Sequence, residues 1–380
     1  MKKYDVVVAG YTCVDLTPGF KRNEIPVSIA SLFRPGKLIE IDGLGVSLGG
    51  IVPNTGLALK KFGKQVFLNG LIGDDFIGMI AKELFDRYGV SEGIMTTREA
   101  GTAFSIVISP PGVDRIFLES PGCNQILDME CINFDTVSQS RIFHFGYPPL
   151  LQRFYLDEGN RLFELFSAVR GMGTVTSLDF SLPDPESESG KIDWPDVMRR
   201  VLPVTDIFVP SLEEVIRIMA PSKYSEIISF SGNGDIINLV PEDLIREIGG
   251  VIIGNGVKIL LIKAAHRGVY LMTGDVSSIN EKPGFNLPEE QWNFRELWCD
   301  SYHADISKVI SASGAGDTAA AAFLSAILDG DSPESAMKYA AIAGRNNLYC
   351  RDIFTELEGL DHIKKEIMAG SHEIIDLRVV

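Results

Sequence analysis

Residues 313–324 of this 380-residue chain read SGAGDTAAAAFL, and we interpret the rest of the sequence outward from them. The alanine run has high helix propensity, so the Gly-Ala-Gly turn is predicted at the N-terminus of a helix. The first N–H groups of a helix have no partner within it, and small residues let a ligand approach them. With the helix dipole behind them, they favour a phosphate or a developing negative charge. Alone, the stretch also fits a glycine-rich loop with Asp317 capping a helix.

The loop contains the groups that phosphoryl transfer requires. The backbone of Gly314, Ala315 and Gly316 is a candidate anion hole. Asp317 projects from the same turn, where its carboxylate can accept a proton from an attacking hydroxyl. Phosphoryl transfer otherwise asks for in-line positioning and neutralised charge. Asp317 is therefore the candidate catalytic base.

Before this loop, short apolar runs alternate with helical patterns. The predicted strands are Val6–Ala9, Gln65–Leu71, Ile142–Phe145, Val175–Asp179, Ile207–Val209 and Ile259–Ile262. The predicted helices are Asn54–Phe62, Phe76–Tyr88, Phe154–Val169, Leu212–Ala220 and Pro241–Ile248. Strands that are apolar throughout and followed by helices indicate an α/β fold with a central, mostly parallel sheet flanked by helices. A ligand is expected at the edge formed by the carboxyl ends of the strands.

Two segments, approximately 11–48 and 100–122, interrupt this alternation with hairpin-like patterns. The second pairs two apolar runs across the turn Pro110-Pro111-Gly112, with Arg115 just beyond it. Together the segments predict a small β-sheet outside the main sheet, placed as a lid. Residues 280–304 are predicted to be an inserted loop, and residues 1–380 a single domain.

Composition and charge limit which partners the protein is expected to bind and in which cellular compartment it is expected to lie. The formal net charge of −16 and the absence of a basic stripe argue against a nucleic-acid partner. They leave room for a phosphorylated ligand, because backbone N–H groups bind anions within acidic proteins. The five cysteines are widely spaced and odd in number, which favours a reducing compartment. No apolar run reaches the length of a membrane span, so we expect a soluble, cytoplasmic protein with no membrane partner.

The order of motifs resembles that of the ribokinase-like (PfkB) family of carbohydrate and nucleoside kinases. Gly314-Ala315-Gly316-Asp317 matches the core of the family's C-terminal signature. Gly49-Gly50-Ile51-Val52-Pro53-Asn54 resembles its Gly-Gly-x-x-x-Asn, and Gly73-Asp74-Asp75-Phe76-Ile77-Gly78 its Gly-x-Asp-x-x-Gly. Asp15, just after the first strand, resembles the early aspartate that holds sugar hydroxyls.

The resemblance implies a magnesium-dependent kinase that moves the γ-phosphoryl group of ATP to a hydroxyl of a sugar or sugar-like acceptor. Asp317 would be its base and Gly314, Ala315 and Gly316 its anion hole. The residues implied to contact the acceptor are Asp15, Gly50, Asn54 and, at the lid hinge, Asn124. A homodimer formed through an exposed edge of the lid is a further expectation.

Three departures from the family pattern lie on the nucleotide side. Ser311-Ala312 stands where the family has Asp-Thr, and Ser211-Leu212-Glu213-Glu214 where it has Asn-x-x-Glu near the magnesium. Residues 263–268, from Lys263 to Gly268, replace a Thr-x-Gly that lines the nucleotide. Lys263 either pairs with phosphates or ends a strand in solvent. The departures leave the preferred donor and the strength of metal binding open.

Several alternatives stay beside this interpretation. His144 and His303 lack spaced metal-ligating partners, so a zinc site is not expected, and His144 is placed at the core edge facing the acceptor pocket. The aromatic residues Trp292, Phe294, Trp298 and Tyr302 fit an adenine contact, a dimer patch or a folded insert. A nucleoside kinase, with Phe104 or Tyr147 stacking on the base, and a non-catalytic sensor remain alternative functions. A dinucleotide-dependent oxidoreductase is set aside, because no G-x-G-x-x-G follows the first strand.

Overall fold

Short runs of Val, Ile, Leu and Phe form the buried strands, as expected for a sheet covered by helices on both faces. A computed structural model describes residues 2–20, 33–110, 116–232, 235–369 and 377–379. Its strands are β1 Tyr4–Gly10, β2 Cys13–Pro18, β3 Leu44–Gly49, β4 Val66–Gly73, β5 Ile94–Thr97, β6 Phe104–Ile108, β7 Ile116–Ser120, β8 Ser140–Gly146, β9 Val175–Asp179, β10 Ile207–Phe208, β11 Ile259–Lys263, β12 Val269–Thr273, β13 Glu296–Cys299 and β14 Leu377–Val379.

The α-helices in the described residues surround the main sheet. They are α1 Ile51–Lys61, α2 Phe76–Arg87, α3 Phe134–Ser138, α4 Gln152–Tyr155, α5 Asn160–Gly171, α6 Trp194–Val201, α7 Leu212–Met219, α8 Pro221–Ser231, α9 Glu242–Gly254, α10 Ser277–Asn280, α11 Glu289–Trp292, α12 Ala315–Asp329, α13 Pro333–Asn347, α14 Ile353–Glu356 and α15 Leu360–Met368. Helix α1 packs on β1 and β4, α5 on β9, and α9 on β11 and β12.

Ten strands form the main sheet in the order β14-β13-β12-β11-β10-β9-β8-β1-β4-β5. From β5 to β11 all neighbours run parallel, and β12, β13 and β14 add an antiparallel edge. All six predicted strands lie in the parallel part, with ends within two residues of the prediction. The predicted fold class is confirmed: a large, mostly parallel sheet is flanked by helices, and a small sheet lies apart from it.

The small sheet comes from the two segments that interrupt the α/β alternation. Its strand order is β3-β2-β6-β7. Residues 21–32 of the first segment lie outside the described residues, as do residues 111–115 of the second, which include Pro111, Gly112 and Arg115. One row across its strands is apolar: Val46, Leu16, Ile106 and Leu118. The next row, which faces the other way, is polar: Ser47, Asp15, Ser105 and Glu119.

The helix predicted over Phe154–Val169 is wrong as one element. The chain forms α4, then a single 3₁₀ turn, and only then α5. The break lies at Glu158 and Gly159, whose φ angles of 52° and 73° are left-handed. A Cβ on Gly159 would meet Val197 Cγ1 at 2.5 Å, so close packing against α6 enforces the break.

The prediction of a loop over residues 280–304 is also wrong. The segment contains α11 and strand β13, which pairs with β12 inside the main sheet. Trp292 and Trp298 are buried in the core, whereas Phe294 is exposed. Of the three interpretations of these aromatic residues, the folded insert describes what the structure shows.

Among the described residues, none of the helices combines the length and the apolar character needed to cross a bilayer.

Candidate active site

The Gly-Ala-Gly-Asp loop lies where the sequence places it, at the start of α12. Gly314 is the residue before the helix and has a φ of 74°, a left-handed conformation that favours glycine. A Cβ on Gly314 would meet the Asn54 side chain at 3.5 Å and Ile353 Cδ1 at 3.2 Å. The alanines after Asp317 are buried, so the helix is anchored in the core. The predicted anion hole is thus a rigid turn at a helix N-terminus.

Asp317 is 4% exposed and its carboxylate is held on both sides. Asn54 Nδ2 donates a hydrogen bond of 2.9 Å to Oδ2. The Tyr147 hydroxyl donates one of 2.6 Å to Oδ1. The candidate base therefore has a fixed orientation before any acceptor binds.

The backbone conformation of Gly50 and its close packing on Tyr11 bring Asn54 to this carboxylate. Asn54 lies in the first turn of α1, and the residue that starts the helix is Gly50, with a φ of 87°. A Cβ on Gly50 would lie 2.6 Å from the Tyr11 carbonyl oxygen. The predicted acceptor residue Gly50 thus sets the path of α1, and the predicted acceptor residue Asn54 contacts the candidate base, Asp317.

A buried ion pair lies beside the loop. Lys263 Nζ is 2.8 Å and 2.7 Å from the two carboxylate oxygens of Asp179. The Lys263 side chain is 11% exposed and that of Asp179 is fully buried, so the prediction of a lysine in solvent is wrong. A Cβ on Gly316 would lie 3.6 Å from Lys263 Nζ, which places the ammonium next to the anion hole.

The charges of this cluster interact strongly. Burial raises the pKa of Asp179 to about 6, against the attraction of Lys263. Burial by itself lowers the pKa of Lys263, but Asp179, Glu214 and Asp317 reverse this effect and raise it. The bidentate geometry favours the ionic form of the Lys263–Asp179 pair.

Ser211 and Glu214 form the start of α7. The Ser211 hydroxyl accepts a hydrogen bond from the Glu214 backbone N–H, and the Glu214 carboxylate accepts one from the Ser211 N–H. This reciprocal capping box stabilises a helix N-terminus. Burial raises the pKa of Glu214 to about 7, although Lys263 opposes the shift. The backbone of Ser211 also forms an isolated β-bridge with that of Lys263. Ser211 and Glu214 therefore border the ion pair.

Gly268 lies in the turn between β11 and β12, with a φ of 93°. A Cβ there would collide with the backbone of Cys299 and Asp300. The structure gives Gly268 a close approach to the end of β13, and its part in nucleotide binding stays a prediction.

Asp15 lies on the polar face of the small sheet and borders a cleft of about 1050 Å³. Burial raises its pKa to about 6, the Cys13 thiol lowers it, and Glu119 raises it again. The carboxylate packs directly on Gly49, where any side chain would displace it. The cleft extends from Asp15 past Asn54 to Ser311 and Ser313, so it joins the small sheet to the loop before α12.

Asn124 is fully buried at the junction of the two sheets. Its Nδ2 donates to the Thr12 carbonyl at 2.9 Å, and its Oδ1 accepts from the Thr12 N–H at 3.2 Å. The amide is therefore engaged with the segment between β1 and β2.

His144 lies inside the main sheet. Its Nδ1 is 2.9 Å from the Ser177 hydroxyl. Burial, followed by the charge of Lys263, lowers its pKa to about 3, so the ring is neutral. His303 is exposed. No cluster of three or more His, Cys, Asp or Glu side chains suited to a metal occurs in the described parts of the chain.

Comparison with known proteins identifies the family. A model of the pfkB family carbohydrate kinases matches residues 5–284, well over half of the chain. The chain belongs to the pfkB family of carbohydrate kinases. The match includes the Gly-Gly-x-x-x-Asn segment and ends before the Gly-Ala-Gly-Asp loop.

Curated and solved relatives of this pfkB family chain agree on the fold. Fructokinase-2 of Oryza sativa subsp. japonica is 29% identical over 112 residues, which are 29% of this chain and 33% of the relative, so the match spans about a third of that protein's length. Ribokinase of Arabidopsis thaliana, solved with ribose and ATP, has a TM-score of 0.65 at 18% identity and covers 95% of this chain and 98% of its own. Fructokinase of Xylella fastidiosa, solved with ATP, has a TM-score of 0.67 at 18% identity, covering 98% and 100%.

Two groups at the site of this pfkB family chain were not assigned to it from the sequence. Asp179 was predicted only as the end of a strand, and Tyr147 only as a ring that stacks on a nucleoside base. The position of Asp179 at the carboxyl end of a fully buried strand was a usable signal, because ligands of parallel sheets bind at that edge. The bond from Tyr147 to Asp317 joins residues 170 positions apart, and no local pattern encodes it.

Proposed function

We propose that the protein transfers the γ-phosphoryl group of ATP to a hydroxyl of a sugar or sugar-like acceptor. The observation that carries this proposal is the buried Asp317 carboxylate, which is fixed at the N-terminus of α12. Membership in a carbohydrate kinase family supports the same reaction class. So do the ATP-bound structures that share the fold.

Asp317 acts as general base in this proposal. Its carboxylate accepts the proton of the acceptor hydroxyl as the hydroxyl oxygen bonds to the γ-phosphorus and the bond to the β–γ bridging oxygen breaks, which releases ADP. The N–H groups around Gly314, Ala315 and Gly316 stabilise the charge on the transferring group. The dipole of the 15-residue helix α12 adds to this effect.

Lys263, Ser211, Glu214 and Gly268 are proposed to serve the nucleotide side. Lys263 places a positive charge within reach of a phosphoryl group bound at Gly316. Magnesium bound with the nucleotide would neutralise phosphate charge here, and Glu214 and Asp179 would be the neighbouring carboxylates.

The acceptor is proposed to lie in the cleft between the small sheet and α12. Asp15 and Asn54 border it, and Asn124 lies at the junction that carries the small sheet. Gly50 is proposed to serve the acceptor through the path that it sets for α1. Asp42, Asp352 and Arg351 also line the cleft, so its described walls present charges of both signs to the acceptor.

We propose that residues 1–380 form one functional unit in which the small sheet acts as a lid. Its polar face carries Asp15 and Glu119, and the neighbouring row on its other face is apolar. The apolar face is the proposed contact with a second copy of the chain. A cytoplasmic location is proposed because all five cysteines are free thiols.

The alternative functions receive less support. Tyr147 is hydrogen bonded to Asp317, and Phe104 pairs with Val14 on the apolar side of the small sheet, so neither is offered to a nucleoside base. A sensor that has lost transfer would not need an oriented base. We therefore keep the sugar kinase as the proposed function.

The decisive experiment measures ATP and GTP consumption with Mg²⁺ against sugars, sugar acids and nucleosides, beside Asp317→Asn. Asn keeps the shape of Asp317 but cannot take a proton, so we expect turnover with one acceptor and a loss of about 10²- to 10⁴-fold in the variant. Nucleotide affinity, measured by calorimetry, should stay near that of the wild type. Equal turnover by both proteins would remove Asp317 as the base. Neither turnover nor nucleotide binding in the wild type would overturn the kinase.

A further inference from the structure

The carboxylate of Asp317 is held by two donors from different parts of the fold. Asn54 reaches Oδ2 from the first turn of α1 at 2.9 Å. Tyr147, which directly follows β8, reaches Oδ1 at 2.6 Å. An ionised carboxylate has about four lone-pair sites, so each oxygen keeps one for an incoming hydroxyl. The clamp therefore leaves the base usable.

The Tyr147 hydroxyl acts only as a donor here. Burial raises the pKa of Tyr147 far above its usual range, and the nearby charge of Asp317 adds to the effect. The phenol thus keeps its proton at neutral pH. That proton lies on the bond to Asp317, so the hydroxyl fixes the orientation of the carboxylate.

The backbone at Tyr147 is strained in a way that serves this contact. Its φ of 66° and ψ of 46° are left-handed, a conformation that non-glycine residues adopt rarely. Pro148 follows at once, and the Tyr147 ring packs near the Tyr11 ring, with centroids 6.3 Å apart. Glycine or asparagine would form the same turn with less strain. Such strain persists where it places a functional group.

We propose that Tyr147 is a positioning residue for phosphoryl transfer, and that its hydroxyl, with the Asn54 amide, holds the Asp317 carboxylate aimed at the acceptor hydroxyl. This inference rests on the proposed kinase function. It assigns Asn54 to the base, in addition to the acceptor contact that the sequence predicts.

Two kinetic consequences separate this role from a structural one. Without the hydroxyl, the carboxylate keeps one of its two donors and loses its fixed orientation, so kcat should fall. KM for ATP should stay the same, because Tyr147 is bonded to Asp317 and not to the nucleotide side. Lys263 on β11, Asp179 on β9 and Glu214 on α7 also face the cluster, and the substitution leaves all three in place. The difference between variant and wild type isolates the hydroxyl.

The test compares the wild type with Tyr147→Phe, using the acceptor found in the screen. We expect kcat to fall about 10- to 100-fold while KM for ATP stays unchanged. The matched control is Tyr155→Phe, which removes a hydroxyl bonded to Glu188 at 3.2 Å outside the site, and it should keep both values. An unchanged kcat in Tyr147→Phe would overturn the positioning role while the kinase stands. Absence of turnover in the wild type would overturn the kinase itself, and this inference with it.

If the phenylalanine variant fails to fold, Asn54→Ala removes the other donor to the carboxylate. We then expect kcat to fall with KM for ATP unchanged. An unchanged kcat in a folded Asn54→Ala protein would also overturn the proposal.

Discussion

At the scale of single residues, the main feature of the site is a group of buried charges. Asp179, Glu214 and Asp317 surround the single ammonium of Lys263, and burial raises the pKa of the first to about 6 and of the second to about 7. Three carboxylates around one ammonium leave an excess of negative charge when all are ionised. Magnesium bound with the nucleotide would reduce this excess, which suits a site that functions only when loaded.

Replacing Lys263 tests whether its charge serves the fold or the reaction. Lys263→Met leaves Asp179 buried without a counter-ion, and we expect the free energy of unfolding to fall by about 3–5 kcal/mol in urea titrations. In Lys263→Met/Asp179→Leu both charges are gone, so most of this stability should return. If Lys263 also contacts the transferring phosphoryl group, the double variant stays low in kcat. A stable double variant with wild-type kcat would restrict Lys263 to a structural role.

At the scale of elements, glycines fix where α1 begins and hence where Asn54 lies. Gly50 and Gly63 have similar φ angles, 87° and 83°. A Cβ on Gly50 meets Tyr11, whereas one on Gly63 meets nothing within 4 Å. Substitutions at Gly50 and Gly63 can therefore separate the cost of backbone strain from the cost of the close approach to Tyr11.

We expect Gly63→Ala to cost about 1–2 kcal/mol, from backbone strain alone. Gly50→Ala should cost clearly more in the same urea titrations, because Tyr11 must also move, and kcat should fall as Asn54 leaves Asp317. Equal losses of stability in the two variants, with kcat retained in Gly50→Ala, would show that the approach to Tyr11 is unimportant.

The sequence predicted the elements that local patterns encode. Buried parallel strands such as Val175–Asp179 were placed correctly, since apolar runs between helices have few alternative structures. Helix α5 was misplaced because the left-handed backbone at Gly159 results from close packing against Val197, which is distant in the sequence. Strand β13 was missed because its membership of the sheet depends on pairing with β12.

The same distinction applies to the candidate site. The Gly-Ala-Gly-Asp turn could be recognised because it is a local pattern of four consecutive residues. The partners of Lys263 and Asp317 could not, because tertiary contacts choose them. For Lys263 the sequence left phosphate or solvent open, and the observed partner is Asp179, 84 positions away.

At the scale of the whole molecule, the groups of the site meet at one edge of the main sheet. Tyr147 follows β8, Asp179 ends β9 and Lys263 ends β11, and these strands run in the same direction. Right-handed parallel connections bring such strand ends together. The small sheet contributes Asp15 from the other side of the cleft.

The two faces of the small sheet differ in polarity. Asp15 and Ser47 of the polar row line the cleft, as does Val46 at one end of the apolar row. On the opposite face, Val46 and Leu118 are 39% and 52% exposed, at the two ends of an unbroken apolar row. An apolar sheet face of this kind marks an interaction surface in a protein with a net charge of −16.

We expect the protein to be a dimer in solution, with this face buried between two copies. Leu118→Asp places a charge on this face in both copies, so it should give monomers in analytical ultracentrifugation with unfolding unchanged. Phe230→Asp is the matched control: Phe230 is 85% exposed on α8, away from the small sheet, and its replacement should leave the dimer intact. A monomeric wild type, or a Leu118→Asp dimer as tight as that of the wild type, would exclude this face as the contact. Since the polar face of the same strands carries Asp15, a dimer that holds the small sheet in place should also lower KM for the acceptor, and Leu118→Asp should raise it.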